Sequence, residues 1–185
     1  MVVASMNQDI HATWCARHAC SGMVDNGWLI CYADDPYGAS AMNTSQGTYV
    51  LLIKLSRRRR IRIGKLGVLE FPPGFYAYVG SAMGGLKARI ARHFRSIRRK
   101  RPHWHIDYFL AAGVAQAVYA RTGPKRRECL AARTLGEELP GISGFGCSDC
   151  RCRSHLFYSP HAELLITRLE NDPLGFIRHD PNDWQ

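Results

Sequence analysis

The chain has 185 residues, of which 46% are hydrophobic, and this length and composition predict one globular domain with a substantial core. Its formal net charge of +10 favours a polyanionic partner, of which nucleic acid is the commonest. The sequence has no long apolar run and no strongly amphipathic basic segment with bulky apolar residues, so a membrane partner is not expected.

The positive charge is concentrated in the middle of the chain. Between Lys54 and Arg101 there are fifteen lysines and arginines and one acidic residue, Glu70. Residues 1–45 carry the opposite balance and lack a sustained hydrophobic period, so they are predicted to be a flexible extension. They also lack a basic segment followed by an apolar one, and we therefore expect the seven cysteines to lie in a reducing cytoplasm.

The ordered part of the chain is predicted to begin with strands. Residues 48–55 form a β-branched and aromatic run that is typical of a buried strand. Residues 61–63 and 67–71 are predicted to pair as a hairpin, and residues 75–79 form a further strand. The pattern predicts an α/β (α+β) fold with a small, mainly antiparallel sheet of three or four strands flanked by helices.

A Gly-rich turn leads from the last of these strands into a basic helix. Within it, Arg89, Arg92 and Arg95 recur at three-residue steps, and His93 follows Arg89 by four residues on the same side. This face is predicted to hold a phosphate beside the tyrosine that ends the preceding strand, Tyr78. The residues predicted to bind nucleic acid here are Lys87, Arg92, Arg95, Arg98 and Arg99.

The segment that follows Pro102, HWHIDYFLAAG, is compatible with two structures. As a strand it would place His103, His105 and Asp107 on one face, whereas as a helix it would bring His103 next to Asp107. In either case His105 is a candidate base or metal ligand near the phosphate. The alternative is that these histidines only line a cleft whose core is formed by the aromatic and apolar residues between them.

The later part of the chain is predicted to hold a strand at residues 114–119, a helix at 128–139 and a strand at 155–158. Residues 161–185 give a weak signal and are predicted to be a C-terminal tail. Three cysteines and a histidine within nine residues could hold one Zn²⁺ tetrahedrally: Cys147, Cys150, Cys152 and His155. An equally open alternative is a Gly-rich loop without metal that faces the active site.

Several separate motifs between residues 46 and 158 resemble one superfamily. Gly47-Thr48-Tyr49 opens a strand, Tyr78-Val79-Gly80 closes another, and Arg89 follows that glycine by nine residues in the next helix. With the blocks GxLGxxxFPxGxYAYVGSAxGGLxxRIxRH, HWHIDY and GFGCSDCRCxSHLFY, the chain is similar to the GIY-YIG nuclease superfamily. It most resembles a branch of small prokaryotic domains of uncharacterised function, whose members also occur fused to endonuclease III.

This resemblance implies a metal-dependent endonuclease that hydrolyses phosphodiester bonds in DNA, in the context of DNA repair, with one Mg²⁺ or Mn²⁺ ion. Residues 46–160 would form the nuclease domain, and the hairpin at 61–71 would be an insertion into its core. The residues expected at the site are Tyr49, Tyr78, Arg89, His93 and His105 for catalysis and Glu128 as the metal ligand. A phenol whose proton is loosened by nearby positive charge would activate the attacking water.

Two other functions remain open at this stage. A nucleic-acid-binding module that acts with a repair enzyme would explain the charge equally well. A zinc or redox sensor built on the cysteine cluster is a further alternative. The enzyme is the hypothesis that requires Tyr49, Tyr78, Arg89 and Glu128 to converge in one site.

Overall fold

The structure, a computed structural model, describes residues 45–95 and 102–184. The strands are β1 Gly47–Leu55, β2 Arg59–Arg62, β3 Val68–Phe71, β4 Gly74–Ala82, β5 Val114–Thr122, β6 Leu156–Ser159 and β7 Ile177–His179. The α-helices are α1 Leu86–Phe94, α2 His105–Phe109, α3 Glu128–Gly136 and α4 Ala162–Glu170, and short 3-10 helices occupy Gly64–Leu66 and Pro181–Trp184. Most of the predicted extension, together with Arg98 and Arg99, lies outside the described residues.

Five strands form one antiparallel sheet in the order β6-β4-β1-β5-β7, and β2 pairs with β3 in a separate hairpin. The predicted fold class, a small antiparallel sheet flanked by helices, is confirmed, and so is the hairpin, which turns through the 3-10 helix Gly64–Leu66. The sheet has five strands instead of the predicted three or four, and the hairpin that was counted in it is a separate sheet. The missed edge strand β7 has only three residues, too few for an alternating pattern to stand out.

Strand β1 lies at the centre of the sheet and is buried on both faces. Its side chains alternate, as the two-residue period of a strand requires. Tyr49, Leu51 and Ile53 enter one hydrophobic core, whereas Val50 and Leu52 enter another on the opposite face. This explains why residues 48–55 form an almost continuous apolar run rather than an alternating one.

Helices cover both faces of the sheet. The first core is closed by α1 and α2, which contribute Ile90 and Phe109, and the second by α3 and α4, which contribute Leu135 and Leu165. None of the helices in the described part of the chain is both long and apolar enough to cross a membrane.

Residues 161–185, which the sequence pattern indicated as a tail, add structure to the domain. Helix α4 buries Leu165 and Leu169 in the second core, and β7 pairs with β5. Near the end of the chain, Trp184 is only 3% exposed and packs in the first core. These elements are short, and their stability comes from packing against the sheet rather than from local sequence preference.

The HWHIDYFLAAG segment is a helix rather than a strand. The Asp107 carboxylate accepts the backbone N–H groups of His103 and Trp104, at 3.0 and 3.1 Å. These two donors have no partner within the helix, and a carboxylate near a helix N-terminus also interacts favourably with the helix dipole. Asp107 therefore stabilises the N-terminus of α2. Of the two structures that the sequence left open, the helical one, which brings His103 next to Asp107, is the one observed.

Candidate active site

A cleft of about 320 Å³ opens where the start of β1 lies beside the end of β4. It is lined by every residue that the sequence predicted for catalysis or for the divalent metal, which are Tyr49, Tyr78, Arg89, His93, His105 and Glu128. These residues come from β1, β4 and three different helices. The fold thus brings together side chains that are far apart in the sequence.

The glycine of the Tyr78-Val79-Gly80 motif makes room for the first tyrosine. Gly80 is the cross-strand partner of Tyr49. A Cβ atom on Gly80 would lie 2.5 Å from the Tyr49 hydroxyl oxygen and 2.6 Å from its Cζ, closer than real Cβ contacts. The Tyr49 ring therefore lies directly over the β4 backbone, and a glycine is needed at this position.

Tyr49 belongs to a buried chain of three polar side chains. Its hydroxyl lies 2.6 Å from Nε2 of His93, and Nδ1 of His93 lies 3.4 Å from Oδ1 of Asp107. Burial, followed by the smaller effect of Tyr78, raises the pKa of Tyr49 well above its usual value of 10.0. A protonated phenol donates to Nε2 when His93 holds its proton on Nδ1, facing the carboxylate. The arrangement can pass a proton from Tyr49 to His93.

Asp107 holds this chain in place. Besides His93 and the two backbone N–H groups at the start of α2, its carboxylate binds the Arg92 guanidinium at 3.0 Å. Arg92, predicted to bind nucleic acid, therefore supports the site through Asp107. Lys87 and Arg95, predicted for the same purpose, lie on α1 and at its C-terminal end and do not line the cleft.

Arg89 presents a positive charge to the cleft. Its guanidinium carbon lies 5.1 Å from the centre of the Trp104 ring, a cation–π contact that orients the planar group. Within the described residues, no carboxylate lies at ion-pair distance and no acceptor forms a hydrogen bond with Arg89. The charge is therefore available to an anion that enters the cleft.

Glu128 presents a carboxylate to the same cleft. Glu128 is 7% exposed and is the first residue of α3. The backbone N–H of the preceding residue, Arg127, donates a hydrogen bond to Thr48 Oγ1 at 3.1 Å. This hydrogen bond fastens the start of α3 to the start of β1. In the part of the chain that the structure describes, the Glu128 carboxylate has no ion pair and no hydrogen bond. A nearly buried carboxylate without a partner is suited to a hard cation.

Tyr78 is a second tyrosine that lines the cleft. It is 8% exposed, and its hydroxyl forms no hydrogen bond with the described residues. Burial, with the Glu128 charge as the second cause, raises the pKa of Tyr78, so the phenol is protonated and can donate to a ligand. For both tyrosines, Arg89 lowers the pKa as the sequence analysis expected, but burial outweighs it.

His105 fastens a loop to the site. Its Nδ1 accepts the backbone N–H of Gly146 at 3.0 Å, which ties the loop at residues 141–155 to α2. Burial lowers the pKa of His105 below its usual 6.5. The neutral imidazole, with its proton on Nε2, is the form that can accept this hydrogen bond.

Protonation of His105 is expected to weaken the folded state at acidic pH. Burial lowers the pKa of His105 in the folded state, so as the pH falls below 6.5 the unfolded chain binds a proton more readily than the folded one. Stability that is present above pH 6.5 is therefore lost as the pH falls from there through the lower pKa of the folded state. Denaturant unfolding at about pH 7.5 and about pH 5.5 measures the effect. His105→Asn is expected to lose less stability between these values than wild type, whereas the exposed control His161→Asn behaves like wild type. Equal losses in all three proteins would contradict the assignment.

A second cluster of polar side chains adjoins the cleft. The ligand atoms of Cys129, Cys150, Cys152 and His155 all lie within 4.8 Å of one another, so this group could hold a metal ion. The structure groups Cys129 of α3 with three of the four predicted residues, whereas the thiol of the fourth, Cys147, donates to the Phe145 carbonyl at 3.3 Å. Burial chiefly raises the pKa of Cys129 to about 12, which disfavours a redox-reactive thiolate.

Sequence reasoning did not assign the contacts of three residues that complete the site. Trp104 supports Arg89, and Asp107 supports His93, but both contacts depend on the helical form of α2 that the sequence left open. Cys129 follows Glu128 directly, and its separation from the other cysteines in the sequence concealed its role. The signal that could have identified Cys129 is its position next to Glu128, the predicted metal ligand.

Comparison with known proteins places the chain in a family. No curated protein and no solved structure matches it. The family described as a domain of unknown function, DUF123, matches residues 48–172, a segment that includes every residue of the cleft named above and all four members of the cysteine cluster. The chain therefore belongs to the DUF123 family.

Proposed function

We propose that the protein is a metal-dependent endonuclease that hydrolyses phosphodiester bonds in DNA. The observation that supports this most strongly is the content of one cleft. It holds a guanidinium and a carboxylate that have no partner among the described residues, and a phenol linked to a buried histidine and aspartate. Hydrolysis of a phosphodiester needs a group that offsets phosphoryl charge, a cation site and a proton acceptor. The resemblance of the motifs to the GIY-YIG nucleases supports the same reaction.

The residues present fit a divalent cation such as Mg²⁺ or Mn²⁺ at Glu128. Its carboxylate is a hard oxygen ligand, and such a cation commonly takes one or two carboxylates while water and substrate phosphate supply the remaining ligands. When bound, the cation would supply Lewis-acid polarisation of the phosphoryl group and stabilisation of the leaving oxygen. The hydrogen bond from the Arg127 N–H to Thr48 keeps Glu128 near the start of β1, beside the two tyrosines.

Tyr49 and His93 act together as the proton acceptor. Because burial raises the pKa of Tyr49, its phenol takes a proton from the attacking water only as its own proton moves to Nε2 of His93. Asp107 stabilises the imidazolium that forms. The water oxygen bonds to phosphorus, the bond from phosphorus to the leaving sugar oxygen breaks, and that oxygen takes a proton from solvent.

Arg89 and Tyr78 act on the phosphoryl oxygens. The guanidinium offsets the charge that develops on them, and the Tyr78 hydroxyl donates a hydrogen bond. A neighbouring depression of about 340 Å³ shares Arg89 and Trp104 with the cleft and is also lined by Arg92. It gives room for an adjacent nucleotide, which favours a polynucleotide over a mononucleotide as substrate.

The proposed setting is the cytoplasm, with a DNA-repair enzyme as partner. The four cysteines in the described residues are free thiols, which suits a reducing compartment. The repair partner is proposed from the resemblance to domains that occur fused to endonuclease III.

Arg89→Ala is expected to lower the rate of DNA cleavage about 10²-fold while DNA binding falls much less, because the guanidinium acts mainly on charge that develops during the reaction. The assay uses labelled single- and double-stranded DNA with Mg²⁺ or Mn²⁺, and a gel-shift assay measures binding. The matched control is Arg95→Ala, which removes an exposed arginine of the same segment that does not line the cleft. Its cleavage rate is expected to stay close to that of wild type.

The proposal fails if the wild-type protein binds DNA but does not cut either form with either metal, and the protein is then a binding module. Cleavage of RNA alone would contradict the proposed substrate. Equal losses in Arg89→Ala and Arg95→Ala would contradict the assignment of Arg89 to the reaction.

A further inference from the structure

The cysteine cluster is built from two elements that are distant in sequence. Cys129 lies in the first turn of α3, whereas Cys150, Cys152 and His155 lie in the loop that leads to β6. The loop side is held by backbone hydrogen bonds, since the His155 N–H donates to the Phe145 carbonyl at 2.7 Å and the His155 carbonyl accepts from Val79 at 2.9 Å. The backbone of His155 is therefore fixed relative to the sheet before any ion binds.

The spacing of the donor atoms fits a tetrahedral ion. With zinc–sulfur and zinc–nitrogen distances near 2.3 and 2.1 Å, neighbouring ligand atoms lie about 3.6 to 3.8 Å apart. Cys150 Sγ lies 3.4 Å from Nε2 of His155, and no pair of ligand atoms in the cluster is separated by more than 4.8 Å. Side-chain shifts of about 1 Å would complete the tetrahedron.

The donor set selects zinc over the cation proposed for Glu128. Three thiolates and an imidazole are soft and borderline ligands, which suit Zn²⁺ and not Mg²⁺. Four protein ligands also leave no open coordination position, which is the arrangement of structural rather than catalytic zinc sites. All four cysteines in the described residues are free thiols, so the three sulfur ligands are available to an ion.

The position of the cluster indicates what a bound ion would do. Cys129 directly follows Glu128, and His155 lines the cleft as well as the cluster. A metal bridge between them would fasten the N-terminus of α3 to the loop at residues 141–155, two parts of the cleft wall. Rotation or fraying of the first turn of α3 would then be restricted, and Glu128 lies in that turn.

We propose that Cys129, Cys150, Cys152 and His155 bind one structural Zn²⁺ ion that holds the first turn of α3 against the loop at residues 141–155. The ion is separate from the cation of the proposed reaction, and its binding does not depend on that function. That the ion helps to position Glu128 for catalysis does rest on the proposed function.

The test is the metal content of the full chain and of two cysteine variants. Wild type is expected to contain one zinc per chain by elemental analysis, and replacement by Co²⁺ should produce thiolate-to-cobalt charge-transfer absorption with the intense bands of a tetrahedral site. Cys129→Ser is expected to bind Zn²⁺ at least about 10²-fold more weakly, because one of four ligands is lost. The matched control is Cys147→Ser, because the Cys147 thiol neighbours Cys150 but is not one of the four grouped ligands and donates to the Phe145 carbonyl. This variant is expected to bind Zn²⁺ as wild type does.

The proposal is overturned if wild type binds neither Zn²⁺ nor Co²⁺ in this way, or if Cys147→Ser loses the metal while Cys129→Ser keeps it. Circular dichroism checks that Cys129→Ser is folded, and the cobalt spectrum of wild type remains decisive if it is not. Glu128→Gln is expected to keep its zinc even if it cannot cut DNA. Loss of the zinc in that variant would contradict two separate sites. Retention of the zinc with normal cleavage would contradict the role of Glu128 as the ligand of the catalytic cation and would leave the zinc proposal intact.

Discussion

Glu128→Gln is expected to lower metal-dependent DNA cleavage about 10³-fold, because it removes the carboxylate that would hold the divalent cation while keeping the size of the side chain. The same change is expected to leave the free energy of unfolding unchanged or to raise it by up to about 1 kcal/mol. The reason is that the nearly buried carboxylate has no partner in the described residues, so its desolvation is not offset there. A loss of activity without a loss of stability would be characteristic of a ligand site.

The measurement combines cleavage rates over a range of Mn²⁺ concentrations with urea unfolding of both proteins. A weakened cation site should be partly rescued at high Mn²⁺, whereas a damaged fold should not. The control is Glu137→Gln on the residue that follows α3, where an exposed carboxylate lies 4.0 Å from Arg168 and does not line the cleft. Unchanged cleavage in Glu128→Gln, or an equal loss in Glu137→Gln, would contradict the role of Glu128.

The parts of the fold that sequence alone predicted have strong local signals. The run at residues 48–55 is apolar because β1 is buried on both faces, and a run of this composition indicates a central strand. The helix that carries Arg89 and His93 was predicted after a Gly-rich turn, and the spacing of these residues placed them on the same side of it. The resemblance predicted that the two tyrosine motifs share one site. In the structure, antiparallel pairing brings them together by placing Tyr49 opposite Gly80, a register that the sequence alone does not give.

The parts that were missed depend on tertiary contacts. Cys147 has better local spacing for a metal site than Cys129, but spacing along a loop does not determine where each thiol points. Helix α4 and strand β7 have little preference of their own and are ordered by the faces and edge of the sheet. The phenol pKa values were expected to fall because charge is visible in a sequence, whereas the burial that raises them is not.

Asp107→Asn is expected to lower the free energy of unfolding by about 3 kcal/mol, because it removes a buried charge from several donors at once. The carboxylate is 1% exposed and contacts the Arg92 guanidinium, Nδ1 of His93 and two backbone N–H groups at the start of α2. An asparagine keeps one acceptor but turns an N–H group towards other donors. Urea unfolding measures the loss, with Glu70→Gln as the control.

Glu70 is suited to this control because its ion pairs with Arg58 and Arg60 are exposed, and such pairs contribute no more than about 1 kcal/mol. A second measurement separates positioning from stability. Nitrogen NMR of the His93 ring is expected to find the proton on Nδ1 in wild type and a changed tautomer population in folded Asp107→Asn, because the carboxylate no longer favours Nδ1–H. If the tautomer and the stability are both unchanged, Asp107 does not hold His93 for Tyr49, and the proton acceptor must be another group in the cleft.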